Sequence, residues 1–299
     1  MSKTLKILSR PKGNAEEYGR WSVNPYLGCR HGCMYCYLKT GVWARKLGGD
    51  TPVLKDGILD EDHAYHLAMA EIIEHREEIV RDGGLFMSFT SDPMIPETRS
   101  LFFRIAIPAI QRDIPVTVLT KSVEIWNDEL FYQMRWLREK RKNIAFGWTL
   151  TGHDELESGA PTNRDRLRDM DILHRDGFKV WASIEPVIDF RSALEMIAGA
   201  LDAGCGHFKI GLLTNNTRVV KKDFGFGPHR FEAYDPAACM SFTGNVMELT
   251  EGRATVYWKQ SFCDFLGDEH LFGMTTYEFL HQWSHSVDKG WSMFRQGER

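Results

Sequence analysis

The sequence predicts an α/β fold built from repeated βα units around a parallel sheet. Short β-rich runs alternate with amphipathic helical stretches, the β-rich runs are almost continuous in apolar residues, and polar residues gather where those runs give way to loops. Continuous apolar runs are what strands covered on both faces require. Five or six βα units in succession favour a full or partial barrel over a doubly wound sheet. Periodicity alone does not separate the two, but the polar strand ends lean toward a barrel.

Strands are expected at 84–91 (GLFMSFTS), 115–122, 144–152, 179–188 and 207–215, with an earlier one inside RWSVNPYLG and a late one at 254–262. Between them, residues 60–81 place Tyr65, Ala68, Met69, Ile72, Ile73, Ile79 and Val80 at three- and four-residue spacing, one helical face turned to the sheet. Asp60-Glu61-Asp62 supplies its cap and first-turn acids, and Asp82-Gly83-Gly84 ends it. Helices are expected near 97–112, 127–141, 163–176 and 190–203 as well. Beyond 216 the pattern weakens: Phe224 to Arg230 reads as a loop and 235–285 mixes helix and strand signals. A core over 1–216 and an extension over 217–299 that closes or shapes the site are therefore expected.

The strand ends carry Thr90-Ser91-Asp92-Pro93, Thr120-Lys121-Ser122, Thr149-Leu150-Thr151-Gly152, Glu185-Pro186 and Thr214-Asn215-Asn216. Each alone is an ordinary turn signal. Five in register mark the edge where parallel folds bind ligands.

With 299 residues, 43% of them hydrophobic, the chain can bury a sizeable core. There is no apolar run of about 18 residues and no apolar leader in MSKTLKILSRPKGNAEE, so a soluble cytoplasmic protein with no membrane contact is expected. A net charge of -4 gives no general attraction to duplex DNA. A nucleic-acid partner would need a local basic patch, and Arg138-Glu139-Lys140-Arg141-Lys142 is the candidate, against its plainer reading as a solvated helix end.

Three of the six cysteines fall in eight residues, Cys29-x3-Cys33-x2-Cys36, within GCRHGCMYCYLKT. A disulfide framework belongs to small secreted chains, and thiol exchange would leave one thiol idle. Zinc in a structural site wants four ligands; His31 would have to complete the set from inside the loop, and no second C-x-x-C follows downstream. Three thiolates suit a [4Fe-4S] cluster with one iron left open.

C-x3-C-x2-C after the first strand of a βα barrel, with Tyr35 just before the third cysteine, resembles the signature of the radical S-adenosylmethionine (SAM) superfamily. Within it, GCRHGCMYCYLKT is similar to the cluster loop of spore photoproduct lyases and their relatives, which carry a G-C-x-G-H-C-x-Y-C-Y-L-Q-T run. Thr90 to Pro93, Thr120-Lys121, Glu157-Ser158-Gly159-Ala160 and the Gly177 to Ile188 segment extend the likeness over roughly residues 20–215. The resemblance implies a partial (β/α)6 TIM-type barrel with a C-terminal extension. It also implies a [4Fe-4S] cluster on Cys29, Cys33 and Cys36, and SAM cleaved there to a 5′-deoxyadenosyl radical that abstracts hydrogen from a substrate. An electron donor such as flavodoxin or ferredoxin is implied too.

On that reading Thr90 and Ser91 would meet the SAM amino group, Lys121 its carboxylate or ribose, and Thr149 or Thr151 the ribose. Glu185 would take the ribose hydroxyls or the ammonium, and Tyr35 joins the cofactor-binding set. Lys121 and Glu185 pairing with each other is the plainer alternative. In spore photoproduct lyases a cysteine that returns a hydrogen atom to the product precedes T-S-D-P; here that position is Phe89, which counts against lesion reversal. Cys205, Cys239 and Cys263 remain as donors, the last two chosen as catalytic candidates because they lie in the tail. Trp148, Trp181, Tyr257 and Trp258 are candidates to stack on a base, and Arg230 and Lys259 to meet phosphate. The expected substrate is a thymine-type base or nucleotide in DNA, modified or rearranged as in phage DNA hypermodification. A small metabolite or peptide is the second reading, and a non-catalytic Cys3His zinc protein the third.

Overall fold

The computed structural model describes residues 5–39, 44–136, 138–213, 236–266, 270–271 and 274–275. Its strands are β1 (Leu8–Ser9), β2 (Ser22–Val23), β3 (Tyr26–Leu27), β4 (Val53–Leu54), β5 (Leu85–Met87), β6 (Val116–Thr120), β7 (Ile144–Thr149), β8 (Lys179–Val187), β9 (His207–Leu212) and β10 (Thr255–Trp258), with a short pair β11 (His270–Leu271) and β12 (Met274–Thr275) beyond. Eight of them form one sheet in the order β1-β2-β5-β6-β7-β8-β9-β10. β1 lies antiparallel on the edge, and every other neighbour pair is parallel. The fold is thus mixed α/β, as expected, and its parallel strands follow one another in chain order. A doubly wound sheet reverses at a switch point; this order does not.

The helices are α1 (Ala44–Leu47), α2 (Glu61–Glu74), α3 (Arg76–Arg81), α4 (Arg99–Gln111), α5 (Glu129–Trp136), α6 (Asn163–Arg175), α7 (Phe190–Asp202), α8 (Pro236–Thr250) and α9 (Gln260–Leu266). Three of them start at a side-chain cap: Asp60 accepts from the His63 N–H at 2.7 Å, Thr162 from the Asp165 N–H at 3.1 Å and Asp189 from the Ser192 N–H at 2.8 Å. The helix expected over 60–81 is two helices, divided at His75, where φ is -103° and ψ is 16°. That expected over 127–141 ends as an α-helix at Trp136, and a 3-10 helix covers Arg138–Asn143.

The boundary drawn at 216 falls outside the described residues. The βα order continues past it: α8 packs on α7, and β10 pairs in parallel with β9 from Thr255↔His207 to Trp258↔Ile210. The late strand expected at 254–262 is thus β10, Thr255–Trp258, at the end of the sheet.

Strand alternation sends two kinds of residue to the two faces. Ile144, Phe146, Trp148, Val180, Ala182, Ile184, Phe208, Ile210 and Trp258 face the helices and form the main core with them. The opposite face carries Phe86, Ala145 and Trp181, against which Tyr18, Phe89 and Leu119 pack. Gly147 belongs to this inner face because Trp181 lies across it; a Cβ there would stand 2.1 Å from Trp181 Cε2.

Gly147→Ala is therefore expected to cost about 1–3 kcal/mol through overpacking. Chemical denaturation should show the loss, and Gly147→Ala combined with Trp181→Phe should recover part of it.

Candidate functional site

The three-cysteine loop leaves β3, the one strand expected within RWSVNPYLG being two, β2 and β3, and it is fastened from three sides. Gly28 N–H donates to Thr90 O at 3.0 Å, Cys29 N–H to Gly49 O at 2.9 Å and Met34 N–H to Leu156 O at 2.9 Å, while Gly159 N–H donates back to His31 O at 2.9 Å. Gly28 has φ +91°, and a Cβ on it would lie 2.8 Å from Thr51 O, so only glycine serves there. The segments that hold the loop follow β5 and β7, so it sits at the C-terminal edge of the parallel strands.

Asp92 joins that edge together. Its Oδ1 accepts from Thr120 Oγ1 at 2.6 Å and from the Met94 N–H at 2.8 Å; its Oδ2 accepts from the Lys121 N–H at 2.9 Å and lies 2.9 Å from His31 Nε2. Burial opposes its ionisation. The neighbouring imidazole, the Thr120 hydroxyl and the Lys121 N–H outweigh burial and hold the carboxyl down at about 2.

Burial pushes the Cys29 thiol up to about 12 and also raises Cys33. Such thiols are weak nucleophiles at neutral pH, which counts against thiol exchange. Positive charge favours their thiolates, and Lys121 is within electrostatic reach of all three cysteines, with Lys39 within reach of Cys29 and Cys36 and Arg166 of Cys33. Lys121 Nζ lies 5.4 Å from the centre of the Tyr35 ring. Both His31 ring nitrogens are engaged, Nε2 with Asp92 and Nδ1 with Gly159 O at 3.4 Å, so the histidine is not a spare fourth ligand for zinc. Among the described residues no three His, Cys, Asp or Glu side chains gather closely enough to hold one metal ion. A cluster makes a different demand, because each thiolate binds its own iron and the thiols need not meet at a point. Three soft donors in one loop with an ammonium within electrostatic reach fit that group.

Farther round the inner face is a network that the sequence did not disclose. Lys259 Nζ donates to both Glu185 oxygens at 2.6 and 2.7 Å and lies 3.5 Å from Glu17 Oε2. The Tyr18 phenol also donates to Glu185 and sits 2.8 Å from Ser183 Oγ. Lys209 donates to the Glu17 carbonyl, with Tyr18, Tyr257 and Trp181 around it at 4.9, 5.5 and 5.9 Å. Burial, helped by the charge of Lys259, pulls its ammonium down to about 7. Glu185 is the most exposed of the charged members, its side chain 23% exposed.

The expected site residues therefore divide. Cys29, Cys33, Cys36, Tyr35, Thr90, Ser91 and Lys121 share the edge around Asp92 and the cysteine loop. Thr90 Oγ1 is already committed to Tyr26 O at 2.5 Å, and Thr151 Oγ1 accepts from the His153 N–H at 3.2 Å, so these hydroxyls hold loops. Thr149 is buried at the end of β7, where its carbonyl accepts from Arg166 at 2.9 Å. Lys121 and Glu185 do not pair with each other: Lys121 lies 3.9 Å from Glu157 and Glu185 binds Lys259. Lys259 is accordingly a buried partner of carboxylates, not a free phosphate contact.

Trp148 corrects another expectation. It faces the helices and donates to Ser122 O at 3.0 Å, so its ring is core. Trp258 also belongs to that core, and Tyr257 is enclosed beside Glu17 at 3.4 Å. Cys239 lies on α8 in the helix-facing core, and burial raises its thiol to about 12. Cys205 is likewise buried, donating to His207 O at 3.1 Å. Arg230 and the Cys263 side chain lie outside the described residues. In the basic run, Lys140 pairs with Asp113, and Arg141 lies 3.9 Å from Asp176.

No family model matches the chain. It is similar to an uncharacterised protein of Methanocaldococcus jannaschii, 25% identical over 194 residues that cover 60% of this chain and 65% of that protein, just under two thirds of its length.

Asp92 ties a pH dependence to this site. Its carboxyl is held below the unfolded value, so the stabilisation is complete above about pH 4 and is lost as pH falls through about 2. Asp92→Asn should remove roughly 2 kcal/mol at pH 7, and the gap from the wild type in denaturant titrations should close toward pH 2.

Proposed function

We propose that this protein is a radical SAM enzyme built on a partial barrel. The observation that carries the reading is the convergence at one sheet edge: Cys29, Cys33 and Cys36 after β3, Asp92 after β5, Lys121 after β6, Glu157 after β7 and Glu185 at the end of β8. The unreversed strand order supports the barrel, and so does the reach of Glu17 and Tyr18, next to β2 in sequence, across to β8, β9 and β10.

Cys29, Cys33 and Cys36 would hold a [4Fe-4S] cluster. With SAM bound, that group supplies a 5′-deoxyadenosyl radical for hydrogen abstraction. The Lys121 ammonium offers a point charge for the SAM carboxylate. Ser91 Oγ, 3.5 Å from Asp92 O, is less committed than Thr90 Oγ1 and is the better hydroxyl for the amino group. Glu185, fixed by Lys259 and Tyr18, accepts hydrogen bonds from an N–H or O–H donor. Tyr18, Phe86 and Phe89 make an aromatic wall, with Phe86 and Phe89 stacked at 4.4 Å and Tyr18 5.5 Å from Phe86. Such a wall suits a planar group such as a thymine-type base and keeps water from a radical. Flavodoxin or ferredoxin would deliver the electron.

A small metabolite is the second reading, favoured by the ion pairs of Lys140, Arg141 and Lys259. The cations expected to meet DNA phosphates already serve carboxylates of the protein.

Anaerobically reconstituted protein should bind about four irons and four sulfides, turn brown, and form 5′-deoxyadenosine from SAM after reduction. Mass spectrometry should show that product rising with thymidine-containing DNA and falling to background in Cys29→Ser, Cys33→Ser and Cys36→Ser. Product indifferent to DNA would move the substrate to small molecules. No product from protein with full iron and sulfide would remove the radical reading.

A further inference from the structure

Glu157 takes no part in the chemistry proposed above, yet three elements send a group to it. Its carboxylate lies 2.6 Å from Arg166 Nη2 on α6, and both side chains are fully buried. The Tyr35 phenol, from within the cysteine loop, donates to its Oε1. Lys121 Nζ, from the end of β6, stands 3.9 Å from the same oxygen. Arg166 cannot swing away, because it also donates to Thr149 O at 2.9 Å and Pro161 O at 2.6 Å.

One carboxylate among two cations leaves one positive charge in excess. That excess sits on Lys121, whose side chain is 16% exposed and which is within electrostatic reach of Cys33 and Cys36. Buried charge is costly unless an opposite charge meets it. A cluster on three thiolates is anionic, and the potential at which it accepts an electron follows the net charge and hydrogen bonds around it.

We infer that Glu157 is a positioning residue that cancels Arg166, leaving the charge of Lys121 uncancelled to face the group held by the cysteines, and that this balance tunes the reduction potential of the site. The inference rests on the reading of Cys29, Cys33 and Cys36 as cluster ligands. A merely structural ion pair would hold the loop without governing the potential.

The test is a spectroelectrochemical titration of the reconstituted full-length protein, following the cluster absorbance through its one-electron reduction. Glu157→Gln keeps an acceptor for Tyr35 but removes a negative charge, so the midpoint should move to a more positive value. Lys121→Met should move it to a more negative one. Glu157→Gln combined with Arg166→Met removes both charges of the buried pair, so the midpoint should return close to that of the wild type. If Glu157→Gln alone fails to fold around an unpaired Arg166, the double variant and Lys121→Met still decide the matter. Midpoints unchanged in Lys121→Met, or displaced in the double variant as far as in Lys121→Met, would overturn the inference while leaving the cluster intact. A wild-type protein that takes up no iron and sulfide would instead overturn the cluster reading, and this one with it.

Discussion

A sheet that turns charge toward its enclosed face holds together only if each charge meets a partner there, and this constraint organises the molecule. Glu17, Glu185, Lys209 and Lys259 occupy the inner face between the strands and the segment around Tyr18. Taken as ionised, two carboxylates and two ammoniums sum to zero, and the aromatic rings of Tyr18, Trp181 and Tyr257 fill the space between them. Gly211 follows from the same arrangement: a Cβ there would stand 2.9 Å from both Glu185 Oε1 and Lys259 Cδ, so the pair needs a strand with no side chain beneath it.

At the strand ends the constraint takes a different form. Asp92 accepts from groups on neighbouring segments and places the cysteine loop against the ends of β5 and β6. Glu157 does the same between α6 and the loop. The thiols are therefore held by a frame of carboxylates that are themselves buried, while Arg30, Met34 and Tyr37 form the exposed part of the loop, Tyr37 being 62% exposed. A rigid inner frame with an accessible outer lip suits a site whose partners must come and go.

Much of this was legible in the sequence, and the limits have physical reasons. Strands such as HFKIGLL declared themselves because both faces are covered, and helices such as 163–175 because a cap precedes a periodic face. The cysteine spacing, Lys121 and Glu185 stood out because such residues are costly at strand ends without a purpose. Partners were not legible, since pairing is a property of distance in space: nothing in GNAEEYG announces that Glu17 will accept from the N–H of Gln260, 243 residues away. Lys209 gave a signal that went unused, a charged residue in the middle of an apolar strand. So did Arg166 and Asp169, polar at helical spacing on the buried side of α6. Trp148 misled because alternation says which residues share a face, not which face looks inward.

The reach of Glu17 also bears on how the chain acquires its shape during synthesis. Its carboxylate accepts from Gln260, and its neighbour Lys259 arrives only after nearly all of the sheet has been made. Until that segment has been made, Glu185 lacks the cation that meets both of its oxygens, and a carboxylate without such a partner keeps its water. The contacts that join Glu17 and Glu185 to the end of β10 are thus among the last in the sheet that the growing chain can make, and a chain cut short before residue 259 cannot make them.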